Sequence, residues 1–134
     1  MTRYVVDAAV AVRLATNAVP VAHGHTLLAP TLVRSDALAL VYASVRDGEL
    51  DERAGRRVLD GIRALRIRLL GDRVLQSTAW QIAAELAWSD TYRAEYLALT
   101  RLQGDALVTL DDELAAAAAR VDLRCADLDE LTRG

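Results

Sequence analysis

Short apolar runs alternate along the chain with longer amphipathic segments. Tyr4, Val5 and Val6 form the first run, which predicts a strand over 3–6 ending in Asp7, and Ala8 to Ala15 continue as a helix with Arg13 near its end. A loop over 17–26 containing Pro20 and Gly24 leads to a second extended run at Leu27 and Leu28. Pro30 is expected in the first turn of a helix over 31–46, where Leu32, Ala39, Leu40 and Ala43 recur at helical spacing and Gly48 ends the helix. Asp51 and Glu52 open another helix with the apolar stripe Ala54, Val58, Ile62 and Leu65. Ile67, Leu69 and Leu70 predict a third strand, and a helix follows from Asp72 to Trp88.

The stretch from 89 to 112 organises the rest. Ser89, Asp90 and Thr91 carry oxygens that accept hydrogen bonds from the free N–H groups of a helix start. Tyr92, Tyr96, Leu97, Leu99 and Thr100 continue at helical spacing until about Gly104. Ala106, Leu107 and Val108 are too few for a helix and suit a buried parallel strand, with Asp111 just past its carboxyl end. An alanine-rich helix over 113–120, a last short strand from Val121 to Cys125 and a polar tail over 128–134 complete the chain. Strands alternating with helices predict an α/β protein, one domain over 1–134 with a mostly parallel sheet covered on both faces.

Composition narrows the class. With 134 residues, 53% of them hydrophobic, the chain is long enough to bury a core without disulfides or a structural metal. Cys125, the only cysteine, cannot form an internal disulfide and is expected to be a small buried side chain. No apolar run approaches the roughly 18 residues of a membrane span. Met-Thr-Arg leads directly into the first strand with no small-residue cleavage site, so the expectation is a cytoplasmic protein. The net charge of −3 opposes a simple nucleic-acid binder, but it sums an acidic site with a separate basic section. All 16 cationic residues are arginine, and Arg46, Arg53, Arg56, Arg57, Arg63, Arg66, Arg68 and Arg73 make the basic surface, which reads first as a solvated face and second as a phosphate contact.

Two strands each end in an aspartate, Asp7 and Asp111, at the sheet edge where open α/β folds bind ligands. Acids clustered there repel one another unless a cation is present, and oxygen-only ligands suit Mg²⁺ or Mn²⁺. Such an ion activates water for attack on a phosphodiester. Thr109 is placed to hydrogen-bond the site, and Asp112 and Glu95 read as solvated or supporting acids. His23 and His25 flank Gly24 with no third ligand in view and read as loop residues. Trp80, Trp88, Tyr92 and Tyr96 read as core and dimer contacts rather than a platform for bases.

Four blocks carry a family resemblance: Tyr-Val-Val-Asp-Ala-Ala-Val-Ala-Val-Arg at 4–13, Leu-Leu-Ala-Pro-Thr-Leu-Val-Arg-Ser-Asp at 27–36, Tyr-Arg-Ala-Glu-Tyr-Leu-Ala-Leu-Thr at 92–100 and Leu-Val-Thr-Leu-Asp at 107–111. In this order they resemble PIN domains, specifically the VapC-like toxins of toxin–antitoxin pairs, over almost the whole chain. The resemblance implies a three-layer α/β/α sandwich, endoribonuclease activity on RNA with Mg²⁺ or Mn²⁺, a homodimer and a neutralising VapB-type antitoxin.

Carried over by position, Asp7 matches the family's first aspartate, Asp36 stands where glutamate is usual, and Asp111 matches the aspartate after the last motif strand. The usual Tyr-Asp-Ala is here Tyr92-Arg93-Ala94, so a cation occupies the place of the third acid, and Ala9 stands where Ser or Thr is frequent. Two readings follow. In one, Asp90, three residues before Arg93, supplies the missing carboxylate, and Arg93 pairs with it or meets phosphate. In the other, the site is degenerate, and the module binds protein or RNA without cleaving. A haloacid-dehalogenase-like phosphatase needs a second aspartate where Ala9 stands, and a receiver domain needs a lysine, which the chain lacks.

Overall fold

The computed structural model describes every residue except Val19 and Gly134. Its centre is a five-stranded sheet in the order β3-β2-β1-β4-β5, built from β1 (Thr2–Val6), β2 (His25–Pro30), β3 (Arg68–Leu70), β4 (Ala106–Val108) and β5 (Cys125–Ala126). All four strand pairings are parallel, so the sheet expected to be mostly parallel is wholly so. The helices are α1 (Ala8–Thr16), α2 (Val33–Arg46), α3 (Glu52–Ala64), α4 (Arg73–Glu85), α5 (Tyr92–Leu102) and α6 (Asp112–Arg120), followed by a short 3₁₀ turn, Leu128–Thr132. The architecture is the three-layer α/β/α sandwich.

Successive residues of a strand point to opposite faces, and the core divides accordingly. Val5, Leu28 and Leu107 face a layer supplied by α4, α5 and α6, including Leu75, Ile82, Leu97, Leu99 and Leu114. Tyr4, Val6, Leu27, Ala106 and Val108 face a second layer in which Val10 and Leu14 of α1 meet Leu131. α5 is the most deeply covered helix, with Ala94 and every residue from Tyr96 to Thr100 buried. Where α5 gives way to β4, a Cβ on Gly104 would lie 2.8 Å from Val5 Cγ2, so this close approach requires glycine.

Several boundaries differ from expectation. Pro30 ends β2 rather than beginning a helix; it pairs with Leu70 at the last rung, and α2 starts at Val33. α4 stops at Glu85 rather than Trp88, because Ala87 adopts φ +57 and the Trp88 N–H turns back to Ala83 O at 2.9 Å. The last strand is Cys125–Ala126, not Val121–Cys125; Val121 caps α6, and Asp122 at φ +62 makes the turn. Cys125 is exposed, since on this edge strand Ala126 takes the inward position. The supposed polar tail buries Leu131 completely. His25 is a strand residue whose Nε2 hydrogen-bonds Arg133 O at 2.7 Å, fixing the end of the chain to β2.

Trp80 and Tyr92 are 72% and 62% exposed, so of the four aromatics read as packing residues only Tyr96 is core, with Trp88 half-buried. The eight arginines of the basic section are all exposed; Arg56 and Arg63 pair with Glu52 and Asp60. No described helix is long and apolar enough to cross a membrane.

Truncating Leu97, fully buried between α5 and the sheet, should be costly because the close-packed layer cannot collapse into the gap. Leu97→Ala is expected to lower unfolding free energy by about 2–5 kcal/mol in chemical denaturation. A loss under about 1 kcal/mol would contradict this account of the core.

Candidate active site

β1 occupies the middle of the sheet, with β2 and β3 on one side and β4 and β5 on the other. The chain reverses its direction of strand addition between β1 and β4, and the crevice beyond the carboxyl ends of such a pair is where open α/β sheets hold ligands. Asp7 immediately follows β1, and Asp111 lies three residues past the end of β4. Both acids cap helices: Asp7 Oδ1 accepts from Val10 N at 3.0 Å, and Asp111 Oδ1 accepts from Glu113 N at 2.9 Å and Leu114 N at 3.2 Å. Capping does not compete with a role in the crevice, because a helix N-terminus stabilises the carboxylate it orients.

Thr109 joins the two. Its hydroxyl donates to Asp7 Oδ2 and accepts from Asp111 N at 3.0 Å, using both capacities of one oxygen. Asp36, in the first turn of α2, is half-buried, and its Oδ2 accepts from the Tyr96 hydroxyl at 2.6 Å. The charges of Asp111 and Asp36 both reach Asp7, so α1, α2 and α6 bring three carboxylates to one crevice.

Asp7 is 8% exposed. Burial raises its proton affinity above that of an ordinary aspartate; the bonds from Thr109 and Val10 oppose this, and the charges of Asp111 and Asp36 reinforce it. Burial also raises Glu95, with a further push from Asp36, and raises Tyr96, whose phenol is held protonated against Asp36. The crevice is short of positive charge on its Asp7–Asp36 side.

Its Asp111 side is different. Arg93 Nη1 lies 3.3 Å from Asp111 Oδ2 and 3.1 Å from Glu113 Oε2, and the guanidinium carbon sits 4.8 Å from the centroid of the Trp88 ring. Burial alone disfavours the charge, but these two acids outweigh it and strengthen the guanidinium's hold on its proton. Asp90 does not join the cluster by any hydrogen bond. It is exposed, accepts from Tyr92 N at 3.2 Å at the start of α5, and leaves Arg93 to its partners on α6. Asp112 is exposed on the first turn of α6. Arg13 is exposed in the last turn of α1, beside a depression of about 390 Å³ that Ala9, Val12, Leu40 and Leu110 also line.

The sequence pattern places Tyr96 and Trp88 among core and dimer contacts and gives Glu113 no site role. Tyr96 lies three residues after Arg93, hence on the same helical face, which was the available signal. Among the described residues, no three acid, histidine or cysteine side chains stand close enough to share one ion. That does not make an all-protein cage; a magnesium-type ion keeps several waters and needs only one or two carboxylates.

No model of a known protein family matches the chain, and no curated protein matches it. Among solved structures, the crystal structure of PAE2754 from Pyrobaculum aerophilum is similar, with a TM-score of 0.72 and 24% identity over 98% of this chain and 94% of that one. That likeness establishes the fold.

Because the folded state raises the proton affinity of Asp7, it binds that proton more tightly than the unfolded chain does. The contribution of Asp7 to stability therefore falls as pH rises from its unfolded value, about 3.9, through its higher folded value. The melting temperature of Asp7→Asn minus that of the wild type should widen between about pH 4 and pH 7 in metal-free buffer. A difference that stays constant would remove the electrostatic account of this residue.

Proposed function

We propose that the chain is a PIN-type endoribonuclease of the VapC kind, using Mg²⁺ or Mn²⁺ to hydrolyse RNA phosphodiester bonds. The observation that carries this reading is that Asp36 and Asp111 lie near enough for their charges to reach Asp7 at the switch point between β1 and β4, with Asp7 buried and without a cationic partner among the described salt bridges. Three carboxylates gathered where ligands bind raise the free energy of the empty crevice, and a divalent cation relieves that cost. A bound ion supplies Lewis acidity and a water of lowered pKa.

The chain's own residues define the rest. Asp7 and Asp36 are the carboxylates available to the ion. Thr109 and the N-terminus of α1 fix the rotamer of Asp7, Tyr96 fixes that of Asp36, and Asp111 is shared between α6 and Arg93. Arg13 lies beside Ala9 and Leu110 at a depression suited to a phosphate backbone, and the arginines of α3 offer further phosphate contacts outside the crevice.

The partners follow from the same reading: RNA as substrate, a second copy of the chain, and a VapB-type antitoxin, all in the cytoplasm. A groove of about 500 Å³ between α2 and α3 is lined by Ala37, Leu38, Leu59 and Ile62 and edged by Arg34, Arg63 and Arg66. Its apolar floor and cationic rim suit an acidic amphipathic antitoxin segment.

Arg93 favours a second reading, the degenerate module, because it brings a fixed positive charge where the family resemblance expects an acid. Cleavage of a panel of structured RNAs separates the two. Under the nuclease reading, the purified chain cuts RNA with Mn²⁺ or Mg²⁺, stops in EDTA, and loses activity to background as Asp7→Ala. Thr109→Val, which removes the bond that orients Asp7, should lose about 10- to 100-fold in activity or metal affinity. A folded chain that binds RNA and cuts none of the panel with either metal supports the degenerate reading.

A further inference from the structure

We propose that Arg93 is a tethered counter-ion that neutralises Asp111 and thereby confines divalent-cation binding to Asp7 and Asp36. This rests on the metal-dependent reading above. A guanidinium cannot release its proton under ordinary conditions, so the charge that Arg93 carries is permanent. The scaffold holds it from three sides: Asp111 at 3.3 Å, Glu113 at 3.1 Å and the Trp88 ring, 4.8 Å from centroid to guanidinium carbon.

Trp88 is positioned by the turn that ends α4, where Ala87 has φ +57 and Trp88 N donates to Ala83 O. Both acidic partners belong to the N-terminus of α6, Asp111 as its cap and Glu113 in its first turn. The ion pair thus joins α5 to the start of α6. Both oxygens of Asp111 are engaged, Oδ1 by the amides of α6 and Oδ2 by Arg93. A cation approaching Asp111 must displace or face the guanidinium, whereas Asp7 and Asp36 carry no cationic partner among the described salt bridges.

The charge arithmetic points the same way. A divalent ion placed near Arg93 is repelled by the full guanidinium charge, and removing that charge should raise the ion's affinity by about tenfold or more even with partial solvent screening. Arg93 is therefore a positioning residue for Asp111 and a limit on metal loading, with no role in touching the ion.

Manganese binding, followed by the electron paramagnetic resonance signal of free Mn²⁺, tests this without reference to cleavage. Wild type, Arg93→Met and Arg93→Lys are compared, each with and without Asp111→Asn, which preserves the helix cap. Wild type should bind one Mn²⁺, with affinity little changed by Asp111→Asn. Arg93→Met should bind about tenfold more tightly or take up a second ion, and that gain should disappear when Asp111→Asn is added. Arg93→Lys, which keeps the charge, should resemble wild type. In EDTA, Arg93→Met should melt below wild type, and Mn²⁺ should restore it more than it raises wild type. Equal stoichiometry and affinity in wild type and Arg93→Met overturn the counter-ion role while leaving the metal site intact. Failure of both to bind Mn²⁺ overturns the metal-dependent reading and this inference together.

Discussion

A carboxylate buried at the end of the central strand needs donors to replace the water it has lost, and the arrangement around Asp7 answers that need. Val10 N supplies one bond and the Thr109 hydroxyl the other, so α1 and the β4–α6 connection are both committed to the same side chain. Thr109 is itself fixed because its oxygen accepts from Asp111 N. The second acid is held in place by the group that satisfies the first. Asp36 is drawn in separately through Tyr96, which is buried on α5, the best-covered helix.

The electrostatic consequence is uneven. At Asp7, burial and the charges of Asp111 and Asp36 raise proton affinity, and no described salt bridge offsets them. On the Asp111 side, Arg93 offsets the charge and Trp88 braces the guanidinium. Solvent still reaches that second group, with about two-fifths of the Arg93 and Asp111 side chains exposed, so the pair is a modest contributor to folding.

The sheet is wholly parallel in the order β3-β2-β1-β4-β5. A fold of this kind hosts many chemistries, so function has to be argued from the residues at the switch point. Here those residues divide into Asp7 and Asp36, which have no cationic partner among the described salt bridges, and Asp111, which Arg93 neutralises; the proposed nuclease and the binding module each rest on one of these halves.

Local pattern by itself determined the order of elements, the ends of β1 and β4, the capping role of Asp51, the start of α4 at Asp72, and the placement of Asp7 and Asp111 beyond their strands. Those features depend on neighbours within a few residues, through hydrogen bonds from side chains to nearby N–H groups and through apolar runs too short for helices. Tertiary structure decided the rest. Pro30 joined a strand because β3 pairs beside it, Leu131 was buried because the 3₁₀ turn packs under β1, and Cys125 was exposed because Ala126 took the inward face. Above all, the partner of Arg93 could not be read from spacing. Asp90, three positions away, lies outside α5 and accepts from Tyr92 N, and the Arg93 side chain turns instead to Asp111 and Glu113, 18 and 20 residues distant in sequence. Ion pairs follow distance in space, and only the packing of α5 against the start of α6 fixes that distance.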